Sequence, residues 1–187
     1  MEVNKILKLS ATLLQLNGLD EIIDNSEFLR ENDNDDLKLL MKSINLVTNL
    51  IATDYINLTK TKKVNNRSGI VKFKDLADEA IYKIIKVKNV FGENIPFKIT
   101  SDGIDCLQGS VVVTYSYFPK EYSYNDNIDV FDMGLTERVV AFGVVSEYLF
   151  IKGNSDDASV WEDRFKNGMR PIVRHRHEVV MPKRRWW

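Results

Sequence analysis

Residues 135–170 decide the fold, and they read LTERVVAFGVVSEYLFIKGNSDDASVWEDRFKNGMR. As far as Gly153 the segment is apolar on nearly every side, which is typical of a central, buried helix that ends at a glycine. The remainder begins with a polar cap followed by acidic residues, which is how a second helix starts. The pattern predicts two helices, about 135–152 and 156–170, joined by a short loop.

The second of these helices carries a stripe of three large apolar side chains, each four residues after the last: Trp161, Phe165 and Met169. Side chains at this spacing lie on one face of a helix and meet a neighbouring element together. We interpret them as a helix-packing stripe. Pro171 then predicts the end of the helix, because proline interrupts the helical hydrogen bonds.

Two more helices are predicted nearer the start of the chain. NKILKLSATLLQL has leucine and isoleucine at mixed spacings of three and four, which favours an amphipathic helix over about 4–17 that ends before Gly18. NDDLKLLMKSINLVTNLIATDY shows the same period on one face, with Asn34 or Asp35 as the cap. It predicts a long helix over about 35–54.

Between the helices, over about 56–119, the apolar period changes from that of a helix to that of a strand. GSVVVTYSYFP, at 109–119, alternates valine and aromatic residues and is the strongest predicted strand. Residues 65–69 form a predicted turn. Residues 91–94 form another, and the strands on either side of it are predicted to pair as a hairpin.

These elements predict an α+β fold: an α-helical bundle with an inserted antiparallel β-sheet or hairpin region and an extended C-terminal arm. A single helical domain covers 1–173, and the arm covers 174–187. Composition agrees with a globular domain, since 44% of the residues are hydrophobic and 28% are charged. No apolar run reaches the 18 or so residues that a membrane span needs, and Glu2 before the first lysine argues against a signal peptide. We therefore expect no membrane association.

The sequence offers little for catalysis. A single cysteine, Cys106, excludes an internal disulfide and a cysteine-based metal cluster, and we expect it to be a small residue in a strand. His175 and His177 would share a face of an extended strand, but flanking arginines repel a cation and no third ligand is near. Four acids are expected to lie on the outer faces of the helices: Glu137, Glu147, Glu162 and Asp163. We expect no catalytic residue, no metal and no cofactor.

The C-terminal segment is unusual in composition. From Arg170 onward it has six lysines or arginines and one acid, and it ends in Trp186 and Trp187. Arginine and tryptophan dominate interface hot spots, because they combine large contact area with directional hydrogen bonds. The candidate binding residues of this arm are Arg174, His175, Arg176, His177, Lys183, Arg184, Arg185, Trp186 and Trp187. The other interpretation is that the basic residues only keep a disordered C-terminal segment soluble.

Two segments resemble the head–tail adaptor, or connector ring, proteins of tailed double-stranded DNA bacteriophages, particularly those of short-tailed phages. Residues 80–120 are similar to the family's strand, turn, short strand and long strand that ends in an aromatic-proline exit. Residues 135–169 are similar to its closing helical pair, in which the second helix follows an alanine–aromatic–aromatic pattern, here Ala158, Trp161 and Phe165. The resemblance covers roughly 35–187.

The resemblance implies a structural virion protein that forms a ring, usually of twelve subunits, beneath the portal protein and carries further neck or tail proteins. Genomic DNA would pass through the ring without sequence-specific contacts. Residues 174–187 would be the arm that docks on the portal, with the terminal tryptophans in clefts between portal subunits. The expected location is the neck of the virion, and the host cytoplasm during assembly.

Two other functions remain open from the sequence. A nucleic-acid-binding module would use the same tail, with arginines on phosphates and tryptophans stacked on bases. A small enzyme would use Cys106 or the pair His175 and His177. The adaptor interpretation is the one that the order of elements favours.

Overall fold

The structure, a computed structural model, describes residues 1–24, 34–131 and 134–176. Helices and antiparallel sheets are both present, so the predicted α+β class is confirmed. The described helices are, in chain order, α1 (Val3–Leu13), α2 (Leu19–Asp24), α3 (Asp35–Leu50), α4 (Phe73–Leu76), α5 (Glu137–Ile151) and α6 (Ser155–Arg176).

The chain divides into two compact units. The helical unit comprises Met1–Val47 and Tyr122–Trp187, and the β unit comprises Thr48–Glu121. All the helices except α4 lie wholly or mainly in the helical unit, and the division falls inside α3.

Helix α5 is the centre of the helical unit, where it packs against α1 and α6. Its side chains are apolar on most sides and include seven buried residues, as the sequence predicts. The Thr136 hydroxyl caps its start by accepting a hydrogen bond from the Val139 amide. Gly153, at a positive φ of 83°, follows its end. The predicted helix over 135–152 is thus confirmed.

Helix α1 is shorter than predicted. It ends at Leu13, because Gln15 adopts a left-handed φ of 55°. The Leu16 amide then donates to the Ala11 carbonyl and the Gln15 amide to the Thr12 carbonyl, which is the Schellman pattern that closes a helix. The prediction of a helix over 4–17 was wrong at this end, and the following α2 was not predicted.

Helix α3 begins where the sequence predicts. The Asn34 side chain accepts hydrogen bonds from the amides of Asp36 and Leu37, at 2.9 and 3.2 Å, and so is the cap. After Leu50 the chain continues as a π-helical turn, Ile51–Tyr55. The helical stretch therefore ends within a residue of the predicted boundary.

Helix α6 continues through Pro171 to Arg176, so the predicted end at the proline was wrong, and so was the extended start of the arm at 174. Proline removes one helical hydrogen bond and costs roughly 3 kcal/mol in a helix interior. The apolar stripe continues past it, however, because Ile172 is buried after the proline as Met169 is before it. Burying a side chain such as that of Ile172 contributes about 1.5–3 kcal/mol, which offsets much of the cost of the proline.

The β unit contains two three-stranded antiparallel sheets. Their strands are β1 (Thr59–Asn66), β2 (Ile70–Lys72), β3 (Ile81–Asn89), β4 (Phe97–Ile99), β5 (Gly103–Cys106) and β6 (Gly109–Tyr117). The first sheet has the order β1-β6-β3 and the second has the order β2-β5-β4. Strand β6, the strongest predicted strand, is therefore the central strand of the first sheet.

The predicted hairpin between β3 and β4 was wrong. The turn itself forms, since the Asn89 amide donates to the Glu93 carbonyl and the Ile95 amide to the Val87 carbonyl. Strand β4 then leaves to pair with β5, while β3 pairs with β6. Local turn chemistry fixes the reversal of the chain, but the partner of a strand is decided by long-range pairing.

One apolar core lies beneath both sheets of the β unit. It is built from ten buried residues: Val71, Leu76, Ile84, Val87, Ile95, Ile104, Cys106, Val111, Val113 and Tyr115. Three of these, Val111, Val113 and Tyr115, alternate along β6 and form the inward face of that strand. The other face of β6 is left for other contacts.

Candidate interaction surfaces

The C-terminal arm lies mostly outside the described residues. Arg174, His175 and Arg176 form the last residues of α6, while His177 and Lys183, Arg184, Arg185, Trp186 and Trp187 lie beyond the described range. The prediction that His175 and His177 share a face assumed that this segment is an extended strand. His175 instead lies in a helix. The arm therefore starts from a helix that is held in the core by Met169 and Ile172.

The predicted packing stripe lies on the side of α6 that meets the core. Phe165 and Met169 are 2% and 0% exposed, whereas Trp161 is only half-buried. The Trp161 ring packs against Phe142 of α5 with their centroids 5.6 Å apart, and the Arg164 guanidinium lies 4.4 Å above its centre. These contacts give Trp161 a structural role.

A polar cluster joins the start of α3 to the end of α5. The Tyr148 hydroxyl and the Lys152 ammonium both donate to the Asp36 carboxylate, each at 2.8 Å. The hydrogen bond from Lys152, with that from Tyr148, lowers the pKa of Asp36, whereas burial raises the pKa of Tyr148. Every group has its partner, so the cluster works as a clamp between helices.

Cys106 lies in β5 with 7% of its surface exposed. Burial raises the pKa of its thiol, and the Asn66 side-chain amide lies 3.4 Å from the sulfur. A thiol with a raised pKa carries little thiolate at neutral pH, and thiolate is the reactive form. The environment of Cys106 is thus that of a core residue.

Within residues 1–24, 34–131 and 134–176, no group of three or more His, Cys, Asp or Glu residues is placed to hold a metal ion. None of the described helices combines the length and the apolar character needed to cross a bilayer. The surfaces that stand out instead carry exposed apolar or basic side chains.

Phe91 is the most exposed large apolar side chain of the described residues, at 87%. It lies at the tip of the turn after β3, and the turn is built by Asn89. The Asn89 side-chain oxygen accepts hydrogen bonds from the Phe91 and Glu93 amides, each at 2.9 Å, and its side-chain nitrogen donates to the Glu93 carboxylate. Gly92 supplies the positive φ, 89°, that the turn requires.

An apolar pocket of about 350 Å³ lies at the other end of β3. Its apolar lining consists of Phe73, Ala77, Ala80, Ile81, Ile84 and Ile99. Three charged residues line it, Lys74, Glu79 and Lys83, and Glu79 is held by an ion pair with Lys60. That ion pair lowers the pKa of Glu79 and raises the pKa of Lys60. The pocket is large enough for an aromatic side chain.

The sequence did not single out the Phe91 tip or this pocket. The asparagine and glycine around Phe91 signal the turn, but the exposure of its ring depends on how β3 and β4 diverge. The pocket joins residues of α4, β3 and β4, which only the folded chain brings together. Comparison of the chain with protein-family models and with curated protein sequences gives no match.

Proposed function

We propose that this protein is a structural, non-enzymatic virion protein: a head–tail adaptor that forms a ring on the portal protein. The ring links the portal to tail or neck proteins, and the genomic DNA passes through it. Support comes from the resemblance of residues 80–120 and 135–169 to such adaptors, and from a geometry that favours head-to-tail association of identical subunits.

The observation that carries the proposal is the placement of the Phe91 tip and the apolar pocket at opposite ends of β3. A strand of nine residues is about 30 Å long, so the Phe91 ring of one subunit is too far away to fill its own pocket. Insertion into the pocket of a second copy would be a heterologous contact, and such contacts generate rings when the rotation closes.

The Phe91 tip and the apolar pocket are chemically complementary. Burying a phenylalanine side chain contributes about 1.5–3 kcal/mol, and the rigid turn around Phe91 limits the entropy lost on docking. Glu93 lies two residues after Phe91 on the turn, and Lys74 lines the pocket. The second copy would therefore bring an acidic group towards a basic rim.

The arm supplies the joint to the portal in this proposal. Helix α6 is anchored through Ile172, only four residues before its last residue, Arg176. Residues 177–187 would thus leave each subunit from a fixed point. Repeating such an arm around a ring makes many modest contacts act together, because tethering raises their effective concentration.

The test is the mass of the purified protein in solution, alone and mixed with the portal protein of the same genome. We expect a stoichiometric ring complex with the portal. Deleting residues 177–187 leaves the described part of α6 intact and should abolish portal binding. Undiminished binding by the truncated protein would remove the arm from the proposal, and a protein that ignores the portal would overturn the adaptor function.

A separate variant tests the proposed contact between subunits. Phe91→Ser should weaken ring formation on the portal, whereas Val160→Ser should not. Val160 is the matched control, because it is also an exposed apolar residue, at 53%, but belongs to α6 of the helical unit. Equal ring formation by both variants would show that Phe91 does not join the subunits.

A further inference from the structure

The sheet β1-β6-β3 has an unusual charge. Its three strands contain six lysines and no aspartate or glutamate: Lys60, Lys62, Lys63, Lys83, Lys86 and Lys88. The whole chain, in contrast, has a net charge of −1. Positive charge is therefore concentrated on one sheet of an otherwise slightly acidic protein.

The register of the strands places four of these lysines on the outward face. Val111, Val113 and Tyr115 of β6 point into the core, so residues 112, 114 and 116 lie on the opposite, outward face. There Val112 and Thr114 are half-buried and Ser116 is buried, whereas the flanking strands carry the exposed side chains. The outward rows pair Lys63 and Lys88 with Val112, Lys86 and Thr61 with Thr114, and Lys83 and Thr59 with Ser116. We call this set the lysine face.

Two irregularities in β3 keep its lysines on this face. In a regular strand, Lys83 and Lys86 would point to opposite sides, since they are three residues apart. The pairing shifts between Ile84 and Lys86, so that Ile85 is an extra residue and both lysines oppose outward positions of β6. Bulges of this kind re-aim side chains and are typical of functional edges.

The lysine face lacks internal neutralisation. Among the described residues, none of its four lysines takes part in an ion pair. Two carboxylates next to the sheet have other partners: Glu79 pairs with Lys60, and Glu93 accepts a hydrogen bond from the Asn89 side chain. Lys63, Lys83 and Lys86 are exposed to solvent, and Lys88 is half-buried.

We propose that the lysine face binds the sugar–phosphate backbone of double-stranded DNA, independently of base sequence. The ammonium groups stand on strands about 10 Å apart across the face, and Lys83 to Lys88 spans about 13 Å along it, the length of four residues of β6. Duplex DNA carries about one charge per 1.7 Å of its axis, so several phosphates lie within that length. The Thr61 and Thr114 hydroxyls hydrogen-bond to each other at 3.2 Å, which leaves one of the two free to donate to a phosphate between the lysines.

This inference rests on the proposed function for its setting, because it gives the ring a surface for the DNA that passes through it. The binding itself needs neither ring nor portal. The apolar residues of the face are Val112, which is half-buried, and the bulge residue Ile85, which lies beside Lys83 and Ser116. Such a surface suits a phosphate array better than a lipid bilayer, which favours apolar side chains that insert.

The experiment measures binding of the full chain to a short duplex of mixed sequence by fluorescence anisotropy, between about 50 and 200 mM salt. The test variant carries Lys63→Gln, Lys86→Gln and Lys88→Gln. Each phosphate contact contributes about 0.9 to the slope of log K against log salt, so this variant should lose about 2.7 from the slope. Each single variant should lose about 0.9 from the slope. The single variants replace the triple variant in the test if the triple variant does not fold.

The matched control carries Lys42→Gln, Lys72→Gln and Lys98→Gln, which remove the same charge from α3 and from the other sheet. It should keep the wild-type slope. Equal losses in both triple variants, or no binding by the wild type at the lowest salt, would overturn the proposal. Complete loss of DNA binding on deletion of residues 177–187 would also overturn it, since the tail would then be what binds the DNA. Equal binding of the protein to vesicles of anionic lipid would overturn it as well.

The outcome is separable from that of the adaptor proposal. Loss of DNA binding in the lysine variant with normal portal complexes would support both. Failure of the lysine face to bind DNA while the ring still assembles would remove this inference alone. A protein that binds DNA through the face but ignores the portal would remove the adaptor function alone.

Discussion

Gly143 of α5 lies so close to Phe165 of α6 that a Cβ added to the glycine would stand 3.0 Å from Cδ2 of the ring. The same Cβ would stand 2.9 Å from Cγ1 of Val47 in α3. Three helices of the helical unit therefore meet at this glycine. The absence of a side chain is what permits their close approach.

Gly143→Ala should destabilise the protein. Overpacking a core typically costs about 1–3 kcal/mol, while replacing a helical glycine by alanine gains about 1 kcal/mol. We expect a net loss of about 1 kcal/mol in the free energy of unfolding, measured with urea. Asn167→Ala is the control, because Asn167 is exposed on α6 and should gain slightly from helix propensity. A variant at Gly143 as stable as the control would mean that the helices separate at little cost.

Pro171→Ala should stabilise the protein, since it restores the amide that a helix interior needs. The gain is at most about 3 kcal/mol, and less if the end of α6 frays. Chemical unfolding followed by helical circular dichroism measures it. Arg170→Ala, at the exposed neighbouring position, should change stability little. A less stable Pro171→Ala protein would show that the packing of Met169 and Ile172 depends on the ring of the proline.

Much of the helical unit could be predicted from the sequence, because its signals are local. The cap at Asn34 and the glycine after α5 act within one turn of the chain. Pro171 shows where local signals fail: the proline is a true helix breaker, but the helix continues because Met169 before it and Ile172 after it are both buried. Propensity is a weak prior when tertiary packing opposes it.

The candidate surfaces were less predictable than the helices. The turn around Phe91 follows from asparagine and glycine, but the exposure of the ring follows from β3 and β4 joining different sheets. The lysine face depends on a register shift at Ile85 that no periodicity reveals. Strand pairing is a property of the whole β unit, whereas periodicity describes one segment at a time.

Asp36→Asn should destabilise the protein at neutral pH and have less effect in acid. The folded-state pKa of Asp36 is lowered, chiefly by the hydrogen bond from Lys152. Its contribution is thus fully present above the unfolded value of about 3.9 and is lost as the pH falls through the folded value. Thermal unfolding of both proteins between neutral and acidic pH should show the two curves converging on the acid side.

Glu162→Gln is the control for the Asp36 cluster. Glu162 makes an ion pair with Lys166 one turn along α6, and such surface pairs contribute little. Its removal should shift stability only slightly at any pH. Tyr148→Phe, which removes the second donor to Asp36, should weaken the pH dependence without abolishing it. A constant difference between wild type and Asp36→Asn across the range would show that the carboxylate charge is not what stabilises the clamp.

Asn66→Ala should both destabilise the β unit and expose Cys106. The Asn66 side chain donates to the carbonyls of Cys106 and Leu107, each at 3.3 Å, and leaving buried acceptors unpaired costs about 1–3 kcal/mol. The native thiol should react slowly with a thiol reagent, because burial raises its pKa and restricts access. In the variant the labelling rate should rise in proportion to the loss of stability, whereas Asn65→Ala, at an exposed position, should leave it unchanged. Fast labelling of the wild-type thiol under native conditions would contradict the core role of Cys106 and revive a reactive one.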